Sequence, residues 1–237
     1  MRSSPSGPDP LDPGPAGFAH RGLHFGSIAE NTLAAFEAAL ELGAGIECDL
    51  RLTADDRIVV FHDADARRLC ASPLRIGKSK LQDLAGLRIS GQPIPTLGLL
   101  LGEVAGRVPL LLEVKTERDL RRWGPVLKRE LAGYRGPFAI LSFDARLLRL
   151  LRSELPGVRR GLNVGKNLHP LRRSLAIRLA APDFLGVDLE AVGRSWVATT
   201  RRAMPIYSWT IRSPQDRAQA EVHADALIWE GDGRPRN

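Results

Sequence analysis

Long apolar runs are missing from this chain of 237 residues. No stretch of about 20 uncharged apolar residues occurs, so neither a membrane-spanning helix nor stable membrane insertion is expected. Cysteine is scarce, at two residues. Cys48 lies inside an apolar strand pattern and reads as a buried, reduced thiol, and with Cys70 alone no disulfide framework is implied. Aromatic residues make up 5%, so Leu and Val must fill the interior, as in buried parallel sheets. Charge of one sign is not concentrated either. The net charge is +7, from 34 basic and 27 acidic residues, yet arginines alternate with acids along the chain. There is no long Lys/Arg run, zinc-finger spacing or interleaved aromatic stripe. Generic surface charge is the first reading, steering of small anions the second and nucleic acid the third, so no nucleic-acid partner is expected. Residues 1–15, "MRSSPSGPDPLDPGP", lack the apolar core of a signal peptide. Their Pro, Gly and Ser content predicts a disordered tail ahead of one domain over 16–237. The expected compartment is the cytoplasm, and the oligomeric state is not encoded in any recognisable pattern.

What is present is an alternation of short apolar runs with helical patterns. Buried strands are expected at "FAHR", "GIECDL", "VPLLLEVK", "FAILSF", "RRGLNV", "FLGVDL", "IYSWTI" and "ALIWE". Stripes of period 3.6 lie between them: Leu33, Phe36 and Leu40; Leu120, Trp123, Leu127 and Leu131; Leu147, Leu148, Leu151 and Leu155, with Asp144 placed to cap. These stripes read as packing faces, Trp123 included. "RIVVFHD" follows "ECDLRLT" after a turn too short for a parallel crossover. Residues 50–63 should therefore form a hairpin. Eight parallel strands remain, the number that closes a (β/α)8 (TIM) barrel, an α/β fold with a β-hairpin extension. An open doubly wound sheet is the alternative, but no Gly-x-Gly-x-x-Gly follows the first strand. Residues 64–95 hold no clean strand–helix unit and read as a small insertion at a loop after the second barrel strand.

Polar groups gather at the ends of these strands. His20 and Arg21 close the first, Glu47 and Asp49 lie on the second, His62 and Asp63 end the hairpin, and Glu113 and Lys115 end the next. Residues two apart on a strand share a face. Glu47 with Asp49, and Glu113 with Lys115, would point into the barrel at the face where such folds keep their sites, and Cys48 would point away. The plain structural reading is a salt-bridge cluster, which explains neutrality but not the meeting of three carboxylates with two histidines. Three carboxylates suit a hard dication, Ca²⁺ or Mg²⁺ first; histidine ligands would admit Mn²⁺ or Zn²⁺. Arg21 and Lys115 suit phosphate oxygens. His20 and His62 suit proton transfer near neutral pH. The set asks for a phosphate ester. Trp209, Asp188 and Arg212 are weaker pocket candidates, with Asn163 and His24 behind them; His169 and His223 are expected to face solvent.

"HRG" at 20–22 with "ENT" at 30–32, "ECD" at 47–49, "HD" at 62–63, "IPTL" at 94–97, "EVK" at 113–115, "SF" at 142–143 and "WT" at 209–210 resemble, in order, the glycerophosphodiester phosphodiesterases. The resemblance runs over 18–230. It implies a TIM barrel with a small insertion after the HD motif. It also implies divalent-cation-dependent hydrolysis of small glycerophosphodiesters to glycerol 3-phosphate and an alcohol, a step of lipid and glycerol metabolism. By resemblance, Glu47, Asp49 and Glu113 hold the metal, His20 and His62 are the acid–base pair, and Arg21 and Lys115 hold the phosphate. Glu30 would help order the metal site, and Asn31 would cap the first helix. The neighbouring glycerol hydroxyl would be the nucleophile, with a cyclic phosphate opened by water. The chain departs from the family pattern at Ala29, Ala66, Cys70, Arg212 and Glu230, the last in "IWEGD". Arg212 reads equally as an anion contact or a solvated helix start. A lysophospholipase D-type enzyme is the alternative, opposed by the short insertion and the lack of an obvious amphipathic membrane helix. A non-catalytic phosphodiester-binding barrel is opposed by the intact histidines.

Overall fold

The structure, a computed structural model, describes residues 9, 11–116 and 119–235. Its strands are β1 (Phe18–His20), β2 (Gly45–Leu52), β3 (Ile58–Val60), β4 (Arg88–Ile89), β5 (Gln92–Pro93), β6 (Leu110–Val114), β7 (Phe138–Ser142), β8 (Arg159–Val164), β9 (Phe184–Asp188), β10 (Ile206–Ile211) and β11 (Ala226–Trp229). The helices are α1 (Leu33–Glu41), α2 (Arg67–Cys70), α3 (Leu81–Leu84), α4 (Leu97–Val104), α5 (Trp123–Glu130), α6 (Ala145–Glu154), α7 (Pro170–Ala180), α8 (Leu189–Val192), α9 (Ser195–Arg201) and α10 (Pro214–His223). All eight expected barrel strands are present and pair in parallel. β1 bonds to both β2 and β11, which closes the ring. β3 returns antiparallel to β2, with Leu50 opposite Val60, as the short turn requires.

Alternation along the strands sorts the core. Phe18, Leu111, Leu141, Phe184, Tyr207 and Ile228 fill the barrel interior. The outward set, with Cys48, Leu112 and Ile140, packs against helix residues such as Phe36, Trp123 and Leu148. Burying strands on both faces explains their continuous apolar runs. Asp144 caps α6 by accepting from the Arg146 N–H at 2.9 Å.

The insertion has more order than its sequence suggests. It carries α2, α3 and the β4–β5 hairpin. It builds a satellite core in which Val59 and Phe61 of the returning strand meet Ile76, Leu84 and Ile89. This accounts for "IVVF": Val60 faces the main core, while its two neighbours face the insertion.

Two expectations change. Within the tail expected over 1–15, residues 1–8 and 10 lie outside the described residues. Leu11, however, is buried among Phe18, Tyr207 and Ala226 at the starts of the strands. Asp9 pairs with Arg159 at 2.5 Å. A single Leu thus extends the ordered chain upstream of residue 16, because the N-terminal end of the barrel needs an apolar plug. The cap of α1 is Thr32, whose hydroxyl accepts from Ala35 N–H at 3.3 Å, rather than Asn31.

Candidate active site

The first loop takes its shape from backbone geometry. After β1, Arg21 and Gly22 both turn left-handed, at φ 57° and 77°. A Cβ on Gly22 would stand 2.8 Å from the Ala35 backbone, so only glycine fits. The turn aims the Arg21 N–H at Glu47 Oε2, 3.1 Å away. Asn31 is also left-handed, at φ 56°, and fully buried. Its amide donates to Asp49 Oδ2 at 2.8 Å, and its carbonyl accepts from Asp49 N–H at 3.2 Å. Asn31 therefore orients Asp49, which is why it does not cap the helix.

Strand parity brings the acids together. β2 and β6 pair in register, Asp49 opposite Glu113. Glu47, Asp49 and Glu113 are all buried, and each offers an oxygen such that the three lie within 4.8 Å of one another. Lys115 Nζ sits 2.9 Å from Asp49 Oδ1 and also bonds Glu113. Arg21 reaches Asp49 at 3.2 Å and Glu30 at 2.8 Å. Arg68, from α2 in the insertion, clamps Glu30 and Asp63. The two histidines flank this cup. His62 Nδ1 lies 2.7 Å from Asp63 Oδ1, and His20 Nδ1 lies 2.6 Å from Glu230 Oε2.

Electrostatics follow from burial and neighbours. Burial, helped by the Asp49 and Glu113 charges, raises Glu47 well above the usual carboxylate range. Burial also raises Glu113, against the pull of Lys115. Burial alone would raise Asp49, but Lys115 and Arg21 outweigh it and hold Asp49 low. Burial lowers His20, with Glu230 opposing, and lowers His62, with Asp49 opposing. Arg68 and His62 hold Asp63 at about 2. Among the described residues, Glu47 has no Lys or Arg side chain in ion-pairing reach; beyond the Arg21 backbone N–H, its side-chain nitrogen partner is His20 Nε2 at 3.9 Å. With all three acids ionised, as a bound cation would require, they outnumber Arg21 and Lys115 by one negative charge. A dication in the oxygen cluster would reverse that sign and suit a singly charged phosphodiester. The donor set fits a hard metal ion.

A cavity of about 230 Å³ opens over the cup. Its lining includes His20, Arg21, Glu47, His62, Glu113 and Lys115, and on the far wall Phe143, Asn163, Trp209, Thr210 and Arg212. Phe143 meets Trp209 edge-on at 5.5 Å. Asn163 donates to Glu113 Oε2 at 3.2 Å. Asp188 is not part of the wall: it caps α8 by accepting from Glu190 N–H at 2.9 Å. Arg212 lines the cavity and has one donor engaged, its Nε holding Glu230 Oε1 at 2.7 Å. His169 caps α7, and His24 turns back to the Gly22 carbonyl. Sequence reasoning named Glu230 only as a departure. The signal was available, because Glu230 follows inward Ile228 by two residues.

Comparison with known proteins agrees with this geometry. The model of the glycerophosphoryl diester phosphodiesterase family matches residues 20–230. A glycerophosphodiester phosphodiesterase of Caldanaerobacter subterraneus subsp. tengcongensis is 26% identical over 214 residues, covering 84% of this chain and 86% of that protein. Among solved structures, a glycerophosphodiester phosphodiesterase from Thermotoga maritima is 25% identical with a TM-score of 0.73, over 90% of this chain and 92% of that one. An Oleispira antarctica phosphodiesterase, solved with its product sn-glycerol-3-phosphate, is 22% identical with a TM-score of 0.79, over 90% and 91%.

Proposed function

The chain belongs to the glycerophosphoryl diester phosphodiesterase family, and from that premise we propose that it hydrolyses soluble glycerophosphodiesters to glycerol 3-phosphate and an alcohol. The reaction depends on a divalent cation, Ca²⁺ or Mg²⁺ before Mn²⁺ or Zn²⁺. The observation that carries this reading is the meeting of three buried carboxylates within 4.8 Å with two imidazoles, Arg21 and Lys115 around one cavity. The product held by the Oleispira antarctica phosphodiesterase, sn-glycerol-3-phosphate, supports the same substrate class.

Glu47, Asp49 and Glu113 would hold the cation. Once bound, it supplies positive charge to the phosphoryl oxygens in the transition state. Arg21 and Lys115 bind the remaining phosphate oxygens and orient the phosphorus. Asp63, ionised at neutral pH, can only accept, so His62 Nδ1 carries a proton and its Nε2 lone pair is left for chemistry. One histidine takes the proton of the neighbouring glycerol hydroxyl as that oxygen attacks phosphorus. The other, protonated, gives its proton to the departing alkoxide. The bond to the alcohol breaks and a cyclic phosphate forms. The roles then exchange while water opens the ring. His20 and His62 flank the cavity, as an exchange of roles requires.

The test is release of glycerol 3-phosphate from glycerophosphocholine or glycerophosphoethanolamine, abolished by EDTA and restored by Ca²⁺, Mg²⁺ or Mn²⁺. His20→Ala and His62→Ala should each lower kcat by roughly 10²- to 10⁴-fold. No turnover of a diester panel with any of these ions would reject the proposal. Unchanged rates in the variants would reject the roles given to the histidines.

A further inference from the structure

Each histidine leans on a carboxylate, but the carboxylate behind His20 comes from the far end of the chain. Glu230 lies 210 residues from His20. Ring closure makes them neighbours, because β11 pairs with β1, Ala19 opposite Trp229. Inward parity after Ile228 turns the Glu230 side chain toward the cup. Oε2 meets His20 Nδ1 at 2.6 Å, and Oε1 takes Arg212 Nε at 2.7 Å. Each carboxylate oxygen has its own partner, so the group cannot rotate freely. The backbones are tied as well: Glu230 N–H donates to the Ile211 carbonyl at 2.9 Å, and Arg212 N–H donates to Asp216 on α10 at 2.9 Å. The relay runs outward from His20, 14% exposed, through Glu230, 21%, to Arg212, 62%.

We propose that Glu230, braced by Arg212, is a positioning residue that selects the His20 tautomer with the proton on Nδ1 and aims Nε2 into the cup. The proposal rests on the reading of His20 as one of the acid–base pair. An ionised carboxylate is an acceptor only, so Nδ1 must donate to it. Burial alone would raise Glu230, but its bonds to His20 and Arg212 outweigh this and hold it at about 2, ionised wherever the enzyme would work. Nε2 is then left with its lone pair on the side of Glu47, 3.9 Å away. Arg212 thus serves the histidine through the carboxylate.

Glu230→Gln makes a sharp prediction. Arg212 donates, so it keeps the amide oxygen, and the amide NH₂ is turned toward His20. A donor facing Nδ1 forces the proton to Nε2, the nitrogen that must act. Loss of the correct tautomer by a carboxylate-to-amide change can cost several orders of magnitude in kcat. Here kcat should fall at least about 100-fold with KM changed less than about threefold. Arg212→Gln should lower kcat by a smaller factor with the tautomer mixed. The direct readout is ¹⁵N–¹H correlation of the imidazole nitrogens in the EDTA-treated full-length protein, with His20 assigned by its loss in His20→Ala. Wild type should show Nδ1–H, and Glu230→Gln should show Nε2–H. The same tautomer in both proteins, or a tautomer switch with unchanged kcat, overturns the proposal. If Glu230→Gln does not fold, Nε2–H in wild type, or an undisturbed tautomer in Arg212→Gln, overturns it. Nδ1–H in wild type with a tautomer switch, but no diester hydrolysis by wild type, retains the Glu230–His20 geometry and rejects the functional reading instead.

Discussion

Glu47 is 2% exposed and shares its surroundings with Asp49 and Glu113, but no Arg or Lys side chain among the described residues reaches it. Such a carboxylate costs stability unless a cation joins it. Glu47→Gln should therefore raise the Tm of the metal-free protein by a few degrees, about 1 kcal/mol being worth 2–4 °C in a chain of this size. The same variant should lose the Tm increase that wild type gains with millimolar Mn²⁺. Scanning calorimetry of both proteins with and without the ion checks this. Glu230 works in the other direction. Its folded value of about 2 lies below its ordinary 4.5, so its stabilisation is complete above pH 4.5 and is lost as pH falls through 2. Because its partner Arg212 is 62% exposed and screened by solvent, the difference is well below the roughly 3 kcal/mol that the full shift would give. Acid unfolding between pH 5 and 2 should accordingly be shallower in Glu230→Gln than in wild type. Residue types and parity made the acids and histidines legible in the sequence. They could not reveal Asn31 as the partner of Asp49, since a left-handed backbone at Asn31 is a consequence of the folded loop.

At the level of elements, β8 and β9 show how a strand serves the site by what it omits. A Cβ on Gly186 would stand 2.0 Å from Asn163 Oδ1, and Asn163 is the side chain that donates to Glu113. Gly186→Ala should destabilise by about 1–3 kcal/mol and should also weaken the metal-dependent Tm shift by displacing Asn163. Gly43→Ala is no control for this, because its left-handed φ of 67° adds strain of its own. Thr32→Ala, by contrast, removes the cap of α1 at a cost of about 1 kcal/mol and leaves the acids in place. The barrel strands and the hairpin were legible because apolar runs and a short turn are local signals. The order within 64–95 was not, because its satellite core joins Val59 and Phe61 to residues spread over the insertion. The contact between β11 and β1 that delivers Glu230 is a product of ring closure, and no local pattern contains it.

Across the whole molecule, the two ends of the barrel are built for different tasks. The starts of the strands are sealed by Phe18, Phe184, Tyr207 and Leu11, and the other end opens into a charged cavity. No helix among the described residues is long and apolar enough to cross a membrane. A positive net charge of +7 favours the approach of small anions to the molecule as a whole. The central claim is that three acids gather one dication beside two imidazoles and a phosphate seat. A crystal structure of the protein with Mn²⁺ and glycerol 3-phosphate, using anomalous scattering to locate the ion, tests it most directly. The predicted result is one strong peak bound by Glu47, Asp49 and Glu113, with phosphate oxygens against Arg21 and Lys115 and both histidines facing the phosphorus. An ion bound elsewhere, or product seated away from this cup, would contradict it.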